Sequence, residues 1–150
     1  MRFEREIEIT NSREKVWRFL WDVDRFIACV PGCKEAVTVE AGKHYTATMT
    51  EKVGPFRVEF PMKIEVLESR ELEYIKALAT GSDSRVGSRM KVELEVRLSG
   101  AGDKTTLALA VSVDILGKLA TLGHSMIKRK ADQVMDEFAA ALKHKLEGAA

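Results

Sequence analysis

The residues best equipped for chemistry in this chain are few and scattered. Cys29 and Cys33 stand in Cys-Val-Pro-Gly-Cys, four positions apart. A C-x-x-C redox motif is one residue tighter, and a structural zinc site needs two more ligands close by. His44, His124 and His144 have no ligand spacing. The two thiols have three readings: free, joined in a local disulfide, or bound to metal. The spacing and the missing ligands favour free thiols. A hydrolytic site needs a nucleophile, a base and a group that orients the base. No G-x-S-x-G occurs, and no histidine neighbours a plausible nucleophile. Aspartate and glutamate total 23, but nearly all fall on the polar parity of alternating segments, where solvation explains them. Asp114 is the exception. It interrupts Val113 and Ile115 and is placed to cap the backbone of Gly117 and Lys118. Phosphate-cradling glycine loops are absent. No catalytic residue, metal or cofactor is expected, which leaves enzymatic activity the less favoured reading.

The charge balance also bears on partners. Lys plus Arg is 24 against those 23 acids, a formal net charge of +1. A nucleic-acid binder normally has a strong basic surplus. The basic runs Lys128-Arg129-Lys130 and Lys143-His144-Lys145 read as the solvated face of a helix, with weak attraction to anionic headgroups or an acidic partner as the alternative. No apolar run approaches the ~20 residues of a membrane span, and the N-terminus MRFEREIEIT has no signal-peptide core. The cytoplasm is the expected compartment.

What remains is apolar. At 45% hydrophobic and 31% charged, a chain of 150 residues can bury about two thirds of its unfolded surface, so one domain spanning 1–150 is expected. Phe3, Ile7 and Ile9 alternate with glutamates as in a half-buried strand. Asn11-Ser12 is an N-cap for one helix or two short ones carrying Val16, Phe19, Leu20, Phe26 and Ile27, stopped by Pro31-Gly32. Then come strands at Ala36–Glu40, His44–Val53, Phe56–Leu67, Leu72–Thr80, Met90–Leu98 and Leu107–Ile115, with breaks at Gly54-Pro55, Glu68-Ser69-Arg70, Gly81-Ser82-Asp83 and Gly100–Asp103. Parity is ambiguous at Tyr45–Met49 and Leu72–Leu78, where both faces carry apolar groups. Short turns make the sheet antiparallel. From Leu119 to Leu146 apolar residues recur at three and four, a helix ~42 Å long with Met126, Val134 and Phe138 facing inward opposite Lys128, Lys130 and Lys143. The fold class is α+β: about seven curved antiparallel strands with one apolar face, covered by the only element long enough, the C-terminal helix.

This order of elements resembles the helix-grip fold of the START/Bet v 1-like superfamily, which groups polyketide cyclases and lipid-transfer proteins. Within it the chain is similar to the CoxG family of carbon monoxide dehydrogenase. The resemblance is carried by CVPGC at Cys29–Cys33, Val53-Gly54-Pro55-Phe56, Ala79–Asp83 (ATGSD) and Asp114–Gly123 (DILGKLATLG), in the right order along almost the whole chain. It implies binding of an apolar small molecule, lipid-like or quinone-like, and association with a molybdenum hydroxylase of the carbon monoxide dehydrogenase type. Some members carry a membrane-attachment tail after the long helix. This chain ends at Ala150 without one, so at most peripheral membrane contact is expected.

A long helix laid across a curved sheet cannot touch it equally everywhere. Met49, Met62, Met90, Met126 and Met135 all fall on faces able to point into the resulting space. Ordinary core filling explains any one of them; as a set they suit ligands of variable shape. The expected lining is Met49, Phe56, Phe60, Met62, Met90, Leu94, Leu122 and Met126, with Phe26 and Pro31 near the mouth. The strand positions among them carry almost no polar side chain, so a bound molecule should leave unchanged. The alternatives are a cyclase- or hydratase-type enzyme, which needs a polar pair inside the pocket, and a protein-binding assembly factor whose core is filled. The oligomeric state has no signature in the sequence.

Overall fold

The computed structural model describes residues 1–148. Its strands are β1 (Arg2–Ile9), β2 (Cys33–Glu40), β3 (His44–Val53), β4 (Phe56–Arg70), β5 (Tyr74–Asp83), β6 (Ser88–Ala101) and β7 (Lys104–Gly117). They form one sheet in the order β1-β7-β6-β5-β4-β3-β2, antiparallel throughout. Only the β1–β7 neighbours are distant in sequence, as expected when hairpins build a sheet and the first strand closes onto the last. The helices are α1 (Arg13–Trp21), α2 (Val23–Ala28) and α3 (His124–Gly148), the last preceded by a 3-10 helix at Lys118–Leu122. The seven-stranded curved sheet gripping a C-terminal helix is the expected α+β helix-grip architecture.

Ser12 caps α1 as its position implies, its side chain accepting from Lys15 N at 3.3 Å. Several strands run longer than expected, and two expected breaks lie inside strands. The Glu68–Arg70 segment continues β4 through a bulge after Val66, and Gly81-Ser82-Asp83 ends β5 rather than breaking it. A Cβ on Gly81 would lie 2.8 Å from Pro61 O, so glycine there serves close strand packing, not a turn. The ambiguous parities resolve. Tyr45, Ala47 and Met49 share the inner face with Ile75 and Ala77. Tyr74 instead lies under the guanidinium groups of Arg97, 4.4 Å away, and Arg70, 5.2 Å away.

The long helix starts later than its apolar pattern suggests. Gly123 has φ 91°, a conformation that favours glycine, and it separates the 3-10 turn from α3. The α-helix proper therefore spans ~37 Å at 1.5 Å per residue. Its buried residues are Ile127, Met135, Phe138, Leu142 and Leu146, not Met126, which is 37% exposed. Once the helix restarts at His124 the stripe runs 127-131-135-138-142-146, one residue out of phase with Met126, or ~100° around the axis. The Sδ of Met126 and the Cδ1 of Leu122 cover the Gly54 turn instead.

Asp114 is exposed and does not cap the 3-10 helix. It pairs across the outer face with Lys91 in register, and Ser88 Oγ accepts from Leu119 N at 2.8 Å. A buried carboxylate does organise a neighbouring loop. Asp83, 3% exposed, accepts from Glu59 N at 2.8 Å, Arg85 N at 2.9 Å and Val86 N at 3.3 Å. These bonds, with Glu59 N the largest influence, hold its carboxyl below the usual aspartate range. A group depressed in the folded state adds stability above its unfolded pKa and loses it as pH falls through the folded one. Asp83→Asn should therefore cost about 1–3 kcal/mol at neutral pH, with the gap to wild type closing on acidification. A gap in denaturant melts that is constant from neutral to acidic pH would remove Asp83 from this role.

Candidate functional site

Two clusters of buried side chains divide the interior. One joins β1, β6 and β7 to α1 and the C-terminal half of α3, around Ile9, Val16, Leu107, Phe138 and Leu142. The other is smaller, around Val53, Val58, Phe60, Met62 and Leu119. Between them lies a cavity of about 280 Å³ walled by residues of both. Its floor is the inner face of β3 to β7, and its roof is α3 through Ile127, Ala131, Val134, Met135 and Phe138. Small side chains leave the space: Ala47 on β3, Ala77 and Ala79 on β5, and Ala131 on α3. Phe26 of α2 meets Phe138 edge-to-face, ring centroids 5.4 Å apart, and both border the cavity.

Of the lining expected from sequence, the fold brings Phe26, Met49, Phe60, Met62, Met90 and Leu94 to the cavity wall, and Met135 with them. Pro31, Phe56, Leu122 and Met126 lie outside it. Phe56 and Leu122 pack against the smaller cluster, with the Lys118 ammonium 5.7 Å from the Phe56 ring centroid. They seal that end from outside. Pro31 is half-buried beside the wall, where Val30 and Cys33 take its place.

Two charged residues that the expected lining lacked border the otherwise apolar cavity. Glu51 and Lys130 border the cavity chiefly through their hydrocarbon stems, and their charged ends meet, Oε2 to Nζ 2.8 Å. Their side chains are 19% and 26% exposed, so the pair sits where the cavity meets solvent. Each had a signal. Glu51 is the charged member of the inward series Tyr45, Ala47, Met49, Glu51, Val53. Lys130, expected on the solvated face, is three residues from Ile127 and four from Val134, on one helix face with both. Arg5 has the same character, since it shares the inward parity of β1 with Phe3 and Ile7. It reaches α3 and bonds Asp132 and Asp136, each at 3.0 Å. Lys128 Nζ also bonds Asp132 at 2.7 Å. These charges favour the ionised states of their partners: the Asp132 carboxyl is lowered, chiefly by Lys128 and then Arg5. The helix is thus tied to β1 on one side of the cavity and to β3 on the other.

Both cysteines are free thiols. Burial pushes the Cys33 thiol up to about 11, with the nearby Glu51 carboxylate adding to the rise. Burial also raises Cys29, against the pull of Lys145. Neither is a thiolate nucleophile at neutral pH. Among the described residues no group of three His, Cys, Asp or Glu side chains is arranged to hold a metal ion. No helix among them is long and apolar enough to cross a membrane.

Solved structures share this architecture across the chain. A conserved protein from Geobacillus kaustophilus superposes with a TM-score of 0.85 at 21% identity, covering 97% of this chain and 95% of its own. A START superfamily protein from Mycobacterium smegmatis superposes at 0.78 and 15% identity, covering 99% of each chain. The Zhui aromatase/cyclase from a Streptomyces species reaches 0.63 at 12% identity, covering 100% of this chain and 98% of its own. At these identities the likeness is one of fold. No curated protein matches the sequence significantly. The model of the carbon monoxide dehydrogenase CoxG family does match it, over residues 6–147, and the chain belongs to that family.

Proposed function

We propose that this protein binds a hydrophobic small molecule, lipid-like or quinone-like, in the space between sheet and α3, and releases it unchanged. The observation that carries this reading is the cavity, about 280 Å³ in volume and walled almost wholly by apolar side chains. It is close to the lower end of ligand-pocket sizes, ~300 Å³, and has the usual make-up of an apolar wall with few polar groups. Protein side chains do not fill this space, so its lining lacks packing partners across it. A filler molecule that restores them is stabilising. Membership of the CoxG family supports a place for the protein as a cytoplasmic accessory to a molybdenum hydroxylase of the carbon monoxide dehydrogenase type.

Organic extraction of the purified protein followed by mass spectrometry tests the reading. One apolar compound should be enriched near one equivalent over an unrelated protein purified alongside. A protein that is folded, unliganded and indifferent to lipid, alcohol and quinone probes would sink it.

The cyclase-type reading has one observation in its favour, the polar pair in the wall. The two members of that pair hold each other at 2.8 Å, with almost no polar surface turned to the cavity. Chemical change in a captured compound on incubation would decide for the enzyme. An open cavity argues against the assembly factor with a filled core.

A further inference from the structure

Nearly the whole lining of the cavity is hydrocarbon, and its two charges are gathered at one place. Glu51 on β3 and Lys130 on α3 meet at 2.8 Å across the rim, with Cys33 beside them on β2. We propose that this pair is a head-group site that selects uncharged, hydrogen-bonding amphiphiles over ionised ones. The inference rests on the ligand-binding reading above and gives it a specificity.

At the rim the two charges balance each other with only partial access to water. An ammonium has three donors, and a carboxylate has about four acceptor sites. The ion pair uses only part of this capacity. Glu51 Oε2 also accepts from Lys52 N at 3.2 Å, and Lys130 has no second ion partner among the described residues. A hydroxyl or carbonyl head arriving at the rim can donate to Glu51 or accept from Lys130 and leave the two charges paired. A carboxylate head meets Lys130 but stands against Glu51. It binds only by parting the pair and leaving Glu51 without its counter-charge. An ammonium head meets the mirror-image problem at Lys130. The tail in each case runs inward to the space left by Ala77, Ala79 and Ala131. The Cys33 thiol, neutral at physiological pH, adds a weak donor and no charge.

The other ion ties of α3 do not have this property. Arg5, Lys128, Asp132 and Asp136 are absent from the cavity lining and hold the helix from outside.

Calorimetric titration of the full chain with decanol, decanoate and decylamine tests the proposal, because the three share one tail and differ in the charge of the head. In the wild type decanol should bind about tenfold tighter than either ion. Glu51→Gln, close in shape, should raise decanoate to the level of decanol or above it and leave decylamine weak. Lys130→Met should do the opposite and favour decylamine. Circular dichroism confirms that the variants fold, and if one does not, the other decides, since each should move one ion and not the other. Equal affinities for the three heads, or a decanoate affinity unmoved by Glu51→Gln, overturns the head-group site and leaves the binding cavity standing. Failure of all three compounds to bind any folded variant overturns both.

Discussion

Truncation of Phe138 to alanine should cost about 3–5 kcal/mol, a large part of the 5–15 kcal/mol that holds a typical domain together. Three observations converge on this side chain. It is buried in the larger core cluster, it meets Phe26 edge-to-face at 5.4 Å, and it borders the cavity. Alanine there removes the ring from α3 and breaks the α2–α3 contact. It also enlarges a void that the surroundings already fail to fill, so relaxation can recover little. Phe138→Leu should retain more than half of the lost stability, since much of the hydrocarbon remains. A Phe138→Ala loss below about 1 kcal/mol in denaturant melts would show that α3 is not clamped on a core.

The sheet is almost fully legible in the sequence, because its signal is local. Phe56, Val58, Phe60, Met62, Ile64 and Val66 alternate with charged or exposed residues for most of β4, and a period of two leaves only the choice of face. The limits of β3 follow from His44 and the Gly54-Pro55 turn. Pattern and structure part where a long-range contact decides. Glu68–Arg70 looks like a turn by composition, yet β5 pairs with it through a bulge. Asp114 looks like a cap, yet the hydroxyl that does that work is Ser88, thirty-one residues before the Leu119 amide it receives.

The cavity is legible in part, for a related reason. Strand parity brings Met49, Phe60, Met62, Met90 and Leu94 to the wall because it depends on no distant contact. The helix residues depend on a phase, and the break at Gly123 shifts it, which exchanges Met126 for Ile127. The charged pair is hidden because a lone Glu or Lys in a mixed segment is usually solvated. Only when β3 and α3 are side by side does each charge acquire its partner at the edge of an apolar space.

A single bulky substitution should separate the cavity from its surroundings. Leu94 lies on the inner face of β6, in register between Ala77 and Val111, all three lining the cavity. Leu94→Trp projects an indole into space that no protein side chain fills. In a filled core such an insertion costs about 1–3 kcal/mol through strained rotamers and backbone shifts, but here the cost should fall below that range. Binding of a quinone or fatty-alcohol probe should drop by about a hundredfold, because the tail and the indole compete for one volume and each buried methylene is worth roughly 0.8 kcal/mol. Met126→Trp is the matched control. That side chain is 37% exposed and covers the Gly54 turn from outside, so the larger group should leave affinity within about twofold of wild type. A folded Leu94→Trp protein that keeps its affinity would move the ligand out of the sheet–helix space. Loss of binding in Met126→Trp alone would place it over the β3–β4 turn.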